Sequence, residues 1–146
     1  MNEFELFWDN VDQHLDDNKS TTGLNYVVRG SFAKKPTIKP NQSTTWIQFN
    51  PSSIGVHNTT VPVNLSLTVF VTGATKTNVH QTHLGAVIQA VKIARLLHGF
   101  SPLPGDDKNS GCTLSLNKDD SFEVVEDNPR AYTIAVVFNA HLNISN

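Results

Sequence analysis

The chain contains 146 residues, 38% of them hydrophobic, with a formal net charge of −2, so we expect one core and a single domain over residues 1–146. No apolar run reaches the ~20 residues of a membrane span, and the acidic N-terminus is unlike a signal peptide, which predicts a cytosolic protein. Cys112 is the only cysteine, which excludes an intramolecular disulfide and a cysteine-built zinc site.

The charged residues are segregated along the chain. Residues 1–17 carry −6, residues 18–105 carry +8 and residues 106–146 carry −4. Charges of both signs are usually interspersed on a protein surface, so this partition indicates an acidic and a basic pole. Such poles could stack head to tail or face a charged partner. Folding could instead intermix the charges.

Residues 2–15 have the pattern of an amphipathic helix of about four turns. Asn2 and Glu5 have the spacing of a capping box at its start. An apolar stripe and an acidic face are expected on opposite sides of this helix. The apolar positions are Phe4, Phe7, Trp8, Val11 and Leu15, and the acidic positions are Glu3, Glu5, Asp9, Asp12 and Asp16.

Three strands and two loops are predicted next. Alternating apolar residues predict strands over 24–32 and 46–49, and the strict alternation over 61–71 predicts the clearest strand of the chain. The connection over 33–45 is polar and basic, with prolines that limit regular pairing, and 50–60 is a second loop. Because long loops in small domains are often functional, we predict that 33–45 makes contacts.

A turn over 73–82 and a strongly apolar helix come after these strands. The helix begins near His83, and Gly99 as a left-handed cap, with Pro102 beyond it, ends it. Its polar residues cover only about 120° of the circumference. The apolar remainder exceeds what one sheet face covers, so a second helix or a neighbouring subunit must cover the rest. The polar positions are Gln89, Lys92 and Arg95, and the candidate N-caps are Thr77, Asn78 and Thr82.

Three further strands are predicted over 112–116, 121–126 and 132–142. The predicted order of elements is therefore α-β-β-β-α-β-β-β. Runs of strands separated by helices predict an α+β fold, in which two helices pack on a mainly antiparallel β-sheet.

The chain lacks the common catalytic and nucleotide-binding motifs, and we predict no cofactor. His80 and His83 could bind a metal with His57 as a third ligand, but a histidine pair in a capping turn is more often solvated. The pairs Asp106-Asp107 and Asp119-Asp120 resemble catalytic carboxylates only in spacing. Each pair lies in a polar turn, where aspartate bonds to the backbone, and we interpret them as turn residues.

Nucleic-acid binding is a separate possibility for the basic loop. Lys34, Lys35 and Lys39, with Phe32 nearby, form a small basic and aromatic patch. The acidity of the whole domain predicts weak nonspecific affinity for nucleic acid. The loop could touch DNA that passes through a ring, or the acidic face of an adjacent subunit, and we favour the protein contact.

Two segments carry a family resemblance. Residues 96–102, LLHGFSP, close the second helix, and residues 132–138, YTIAVVF, form the terminal strand. Together with the order of elements, they resemble the tail terminator (tail completion) proteins of tailed bacteriophages. The resemblance extends over nearly the whole chain and is closest from residue 61 onward.

This resemblance implies a structural virion protein and not an enzyme. Members of the family form a ring, commonly of six subunits, on the last disc of the tail tube. The ring halts polymerisation of the tube and offers a surface for head attachment. The implied partners are copies of the chain, the tail tube protein and a neck or connector protein, with no membrane. The implied location is the tail-neck region of the virion, and the host cytoplasm during assembly.

We predict that basic loop residues make the subunit or tail-tube contacts. Two aromatic residues are expected to anchor these contacts where the loop meets the second strand, because aromatic residues and arginine dominate interface energies. The predicted interface residues are Arg29, Lys34, Lys35, Lys39, Trp46 and Phe49.

Two other functions stay open at this point. Another neck or head-tail connector protein of the same virion would also be a small α+β protein that forms a ring. It would bind the head portal in place of tail tubes. A small metal-dependent hydrolase or ligand-binding domain would use His57, His80 and His83. A metal assay together with His83→Ala would identify this last class.

Reversing the charge of the basic loop tests its predicted role. Lys34→Glu combined with Lys35→Glu is expected to disrupt ring formation or tail joining, because the loop would no longer attract an acidic neighbour. The fold should stay intact, as measured by circular dichroism. Unchanged assembly of this variant would discard the assignment.

Overall fold

A computed structural model of the chain describes residues 3–22, 26–27, 44–55, 60–72, 79–103, 111–119, 121–128 and 131–145. The helices are α1 (Glu3–Asp17), α2 (Lys19–Thr22) and α3 (Val79–Leu97). The strands are β1 (Tyr26–Val27), β2 (Thr44–Ile54), β3 (Thr60–Thr72), β4 (Ser115–Leu116), β5 (Phe122–Asn128) and β6 (Ala131–Ser145). The predicted α+β fold is confirmed, and its order of elements is matched apart from the one-turn helix α2.

The strands form one sheet in the order β1-β2-β3-β6-β4, and β5 also pairs with β6. β1 is parallel to β2, and every other pair is antiparallel. Because β3 occupies one edge of β6, β4 and β5 share the other edge. β5 pairs with residues 131–136 of β6, and β4 pairs with Phe138 and Asn139.

The hydrophobic core lies between one face of this sheet and the helices α1 and α3. Every second residue of β3 is buried there, as its alternation predicts. The partners of these residues in β6 are apolar as well. Burying side chains of this size stabilises the fold by about 1.5–3 kcal/mol each. The buried residues are Val63, Leu65, Leu67, Val69 and Val71 in β3, and Phe7, Trp8, Val11 and Leu15 in α1.

Helix α1 is attached to the segment that leaves α3. The ring of His14 stacks on Phe100 at 3.9 Å between centroids, and Asn10 Nδ2 donates a hydrogen bond to the carbonyl oxygen of Pro102 at 2.6 Å. Gly99 has a φ of 83° and ends α3 as predicted, since glycine adopts this left-handed conformation without strain. These contacts hold α1 and the end of α3 together.

The predicted lengths of the first strands are partly wrong. The structure extends β2 from Thr44 to Ile54, so the loop predicted over 50–60 is strand up to residue 54. A register shift between Pro51 and Ser53 accommodates the proline, which has no amide hydrogen for the ladder. Of the first predicted strand only Tyr26 and Val27 are described as β1, and residues 28–43 lie outside the described residues.

The start of α3 also differs from its prediction. The helix begins at Val79, so residues 79–82 belong to it and not to a turn. Thr82 is buried inside the helix, with 3% of its surface exposed, and is not its N-cap. The other two candidate caps, Thr77 and Asn78, lie outside the described residues. The prediction failed because Thr82 and His80 interrupt the apolar pattern without ending the helix.

Two further predictions need correction. Only Ser115 and Leu116 of the strand predicted over 112–116 pair with β6, whereas Cys112 forms an isolated bridge with Leu103. Asp12 was placed on the exposed acidic face of α1 but is only 4% exposed. At 100° per residue Asp12 lies only about 40° from the buried Trp8, so it falls at the border of the apolar stripe and is buried with it.

Comparing two truncations tests which apolar residues form the core of the isolated subunit. Leu67→Ala, at a fully buried position, should lower the free energy of unfolding by about 2–5 kcal/mol because it leaves a cavity. Ile88→Ala, at a position that is 46% exposed, should cost about 0.5 kcal/mol or less in the monomer. Urea titration at low protein concentration measures both, and equal losses would contradict this description of the core.

Candidate subunit interface

Helix α3 has two apolar faces, of which only one packs on the sheet. Ala86, Ala90, Ile93 and Leu97 are at most 1% exposed. A second set of apolar residues lies about 140° away around the helix, at 100° per residue. We call this set the α3 stripe. It consists of Leu84 (49% exposed), Val87 (42%), Ile88 (46%) and Val91 (39%).

The α3 stripe lies on a helix that is fixed at both ends. Near the N-terminal end, the ring of His83 stacks on Tyr132 of β6, with 4.0 Å between centroids. At the C-terminal end, the amide of Gly99 donates to the carbonyl oxygen of Leu114 at 2.8 Å, and the amide of Leu116 donates to His98 Nδ1 at 3.0 Å. The stripe is therefore presented on a rigid element. The excess apolar surface predicted for this helix is exposed in the single subunit.

The exposed side of α3 is basic as well as apolar. No aspartate or glutamate occurs between residues 79 and 97, while Lys92 and Arg95 are both exposed. Arg95 falls one turn after Val91, inside the angular range of the α3 stripe. Within the described part of the chain neither cation has a salt bridge. The stripe thus ends in positive charge.

A second exposed apolar group lies on the edge strand β5. Phe122, Val124 and Val125 are 46–49% exposed, and we call them the β5 patch. Phe122 and Val124 lie opposite Val136 and Ile134, so they point to the helix side of the sheet. Val125 lies at a register shift and has no partner in β6. The sequence predicted this strand but not the exposure of its apolar residues.

Most of the residues predicted for the interface cannot be placed. Arg29, Lys34, Lys35 and Lys39 lie outside the described residues. Trp46 and Phe49 belong to β2, where they lie opposite Phe70 and Leu67 of β3. Because β2 begins at Thr44 and continues to Ile54, Phe49 is well inside the strand and not where a loop meets it. The prediction of its location was wrong, and the side chains of both aromatic residues lie outside the described part.

The histidines considered as metal ligands are not brought together by the described structure. His83 is the fifth residue of α3 and stacks on Tyr132, so it does not lie in a capping turn. His57 and the side chain of His80 lie outside the described residues. Among the residues that the structure describes, no three His, Cys, Asp or Glu side chains lie close enough to share a metal ion.

The turn interpretation of the second aspartate pair is supported at Asp119. Its amide donates to Oδ1 of Asn117 at 3.0 Å, which is a local turn contact. Ser121 Oγ also donates to the carbonyl oxygen of Asn117. The other members of the two pairs, Asp106, Asp107 and Asp120, lie outside the described residues.

A polar cleft of about 460 Å³ lies at the junction of β3, β4 and β6. Asn64 Oδ1 and His141 Nδ1 are 2.5 Å apart in it, and Asn139 Oδ1 accepts a hydrogen bond from Asn117 Nδ2 at 3.3 Å. The cleft therefore offers amide, hydroxyl and imidazole groups, which can form hydrogen bonds. Its lining residues are Asn64, Leu65, Thr113, Ser115, Asn139, Ala140 and His141.

No described helix is both long and apolar enough to cross a membrane. No protein-family model matches the chain, and no curated protein matches it either. The functional proposal therefore depends on the surfaces of the subunit, among which the α3 stripe contains four of the exposed apolar side chains of the described residues.

The reactivity of Cys112 tests whether the segment between α3 and β4 is packed as the structure describes. Its thiol is 2% exposed, and burial raises its pKa, an effect that a hydrogen bond with the backbone of His141 partly offsets. We expect Cys112 to react with a disulfide reagent at pH 8 at least about tenfold more slowly in the native protein than in urea, because the thiolate is the reactive form.

An exposed thiol provides the control for this measurement. Ser115→Cys places a thiol at an exposed position of β4, and it should react fast in the native protein. Because burial raises the pKa of Cys112, the folded state favours its protonated thiol. The stability that this preference contributes is present at neutral pH and is lost as the pH rises through the raised pKa. Equal native reactivity of the two thiols would contradict the burial of Cys112.

Proposed function

We propose that this chain is a structural virion protein that forms a ring on the end of a phage tail tube. The ring stops polymerisation of the tube and provides the surface for head-tail joining. The chain acts through contacts and not as an enzyme. One observation carries the proposal: four large apolar side chains, 39–49% exposed, lie on one side of a rigid helix.

The distribution of side-chain size on α3 supports an external contact. Toward the sheet, the middle of the helix presents the small residues Ala86 and Ala90, while the larger Leu84, Val87 and Ile88 face outward. Each buried CH₂ group contributes about 0.8 kcal/mol. A helix that stabilised only its own subunit would gain more from the opposite arrangement. Contiguous apolar surface of this kind marks interaction sites in soluble proteins.

The resemblance to tail terminator proteins supports the choice of assembly. Its first segment, residues 96–102, contains the end of α3 and the Gly99 cap, and its second, residues 132–138, lies in the central strand β6. Both segments therefore belong to the elements that hold the α3 stripe in place. Copies of the chain, the tail tube protein and a neck protein are the proposed partners, and DNA would pass through the lumen of the ring.

Growth of the tube would end because the ring is unlike a tube disc on its outer side. One face of the ring matches the end of the tube, while the other offers no further surface that tube protein can bind. A neck protein binds that second face and joins the head. In this account the protein is located in the tail-neck region of the virion, after assembly in the host cytoplasm.

Measuring the mass of the native particle, alone and with tubes assembled from the tail tube protein of the same virus, tests this function. We expect a particle of six times the 16.1 kDa chain mass, in solution or on the tube, and rings at tube ends in electron micrographs. Added protein should also stop elongation of the tubes. A chain that neither assembles nor caps tubes is not a terminator, and binding to the head portal alone would identify another neck protein.

A charged substitution in the α3 stripe tests the observation that carries the proposal. Ile88→Asp should reduce ring formation at least about tenfold, because an interface core does not accept an unpaired charge. Leu6→Asp, at an apolar position of α1 that is 41% exposed, makes the same kind of change away from the α3 stripe, and this control should assemble normally. Circular dichroism should be unchanged for both variants, and normal assembly of Ile88→Asp would remove the α3 stripe from the interface.

A further inference from the structure

We propose that the α3 stripe of one copy binds the β5 patch of the next copy, so that the subunits associate head to tail. This inference rests on the ring in the proposed function and names the two surfaces that form it. The α3 stripe is turned away from the sheet, about 140° from the buried face of the helix. The β5 patch lies at the edge of the sheet.

The two surfaces are complementary in their apolar residues. Both contain large aliphatic or aromatic side chains that are 39–49% exposed. Phe122 and Val124 lie on the helix side of the sheet, and about half of each side chain is still exposed. A contact between the stripe and the patch would remove both exposed groups from water at once.

The two surfaces also carry opposite charge. Helix α3 contains the exposed Lys92 and Arg95 and no acidic residue, whereas β5 contains the exposed Glu123 and no basic residue. Glu123 is exposed on β5, where it lies between Phe122 and Val124 in sequence and points to the opposite face of this edge strand. Arg95 ends the α3 stripe. Like charges would oppose contact between two α3 helices or between two β5 strands, so the pairing of unlike surfaces is favoured.

The local shape of β5 favours contact through its side chains. Within the described residues, β5 pairs only with β6, so its other edge faces outward. The register shift at Val125 disturbs the regular hydrogen-bond ladder, so another β-strand would pair poorly with the free edge of β5. The apolar side chains of β5 stay available for a helix.

Pairing two different surfaces of identical copies has a consequence for symmetry. Such a contact is heterologous, and it closes into a ring when the rotation between copies divides a full turn. A two-fold contact would stop at a dimer. The α3–β5 contact therefore supplies the kind of interface that a ring of the proposed function needs.

A charge exchange tests the pairing. Arg95→Glu and Glu123→Lys should each weaken self-association at least about tenfold, measured by sedimentation, and the double variant should recover it to within about threefold. Asp9→Lys, on the exposed face of α1, changes charge by the same amount as Glu123→Lys and should have no effect. Failure of the double variant to recover, while each single variant is impaired and folded, would overturn the pairing.

Cross-linking tests the geometry. Val91→Cys combined with Val124→Cys should give, on mild oxidation, a ladder of covalent species larger than dimers, because each copy offers one thiol to each of two neighbours. Each single variant should stay uncross-linked, since Cys112 is buried. Covalent dimers alone, or a disulfide within one copy, would overturn head-to-tail association by these surfaces.

The outcomes separate this inference from the proposed function. Rings that cap tubes, with no ladder and no effect of the charge variants, would leave the proposed function standing and discard the α3–β5 contact. A ladder of cross-linked species, together with self-association that depends on Arg95 and Glu123 but no binding to tail tubes, would support the contact and discard the terminator function.

Discussion

The pairing of β3 with β6 is the constraint on which the rest of the structure depends. The two strands are in register from Thr60 and Ser145 to Thr72 and Thr133, without a shift. Because successive residues alternate between the two faces of a sheet, a slip of one residue would exchange the whole core face for the polar face. The ladder thus decides which side of the sheet receives α1 and α3. It also places the apolar partners Leu67 and Phe138 at the centre of the core.

The sequence predicted most reliably the elements with the longest periodic patterns. The alternation over 61–71 and over 132–142 located β3 and β6, and the apolar positions of α1 located its buried side. Boundaries were less accurate where a local feature has two readings. Pro51 suggested a loop, yet a bulge allows β2 to continue through it. The residues before His83 suggested a turn, yet they form the first turn of α3.

The candidate interface was predictable on α3 but not on β5. The helix is long enough that its composition alone shows more apolar surface than one sheet face can cover. A strand of seven residues does not show an excess of apolar surface in this way. From the sequence alone, Phe122 and Val124 could equally be core residues covered by a helix. Their exposure depends on where α3 crosses the sheet, and that is a property of the packed structure. The charge of the basic loop is visible in the sequence, whereas the position of Arg95 at the end of the α3 stripe follows from the structure of the helix.

The arrangement of large and small residues on α3 connects folding with assembly. Ala86 and Ala90 let the helix lie close to the sheet, and Ile93 and Leu97 further along α3 complete the core together with β3, β6 and α1. The larger residues on the outer side contribute little to that core. Their burial becomes favourable only when a neighbouring surface covers them. Folding of the subunit and association of subunits then draw on different faces of one helix, which lets a charged residue on the outer face weaken assembly without unfolding the subunit.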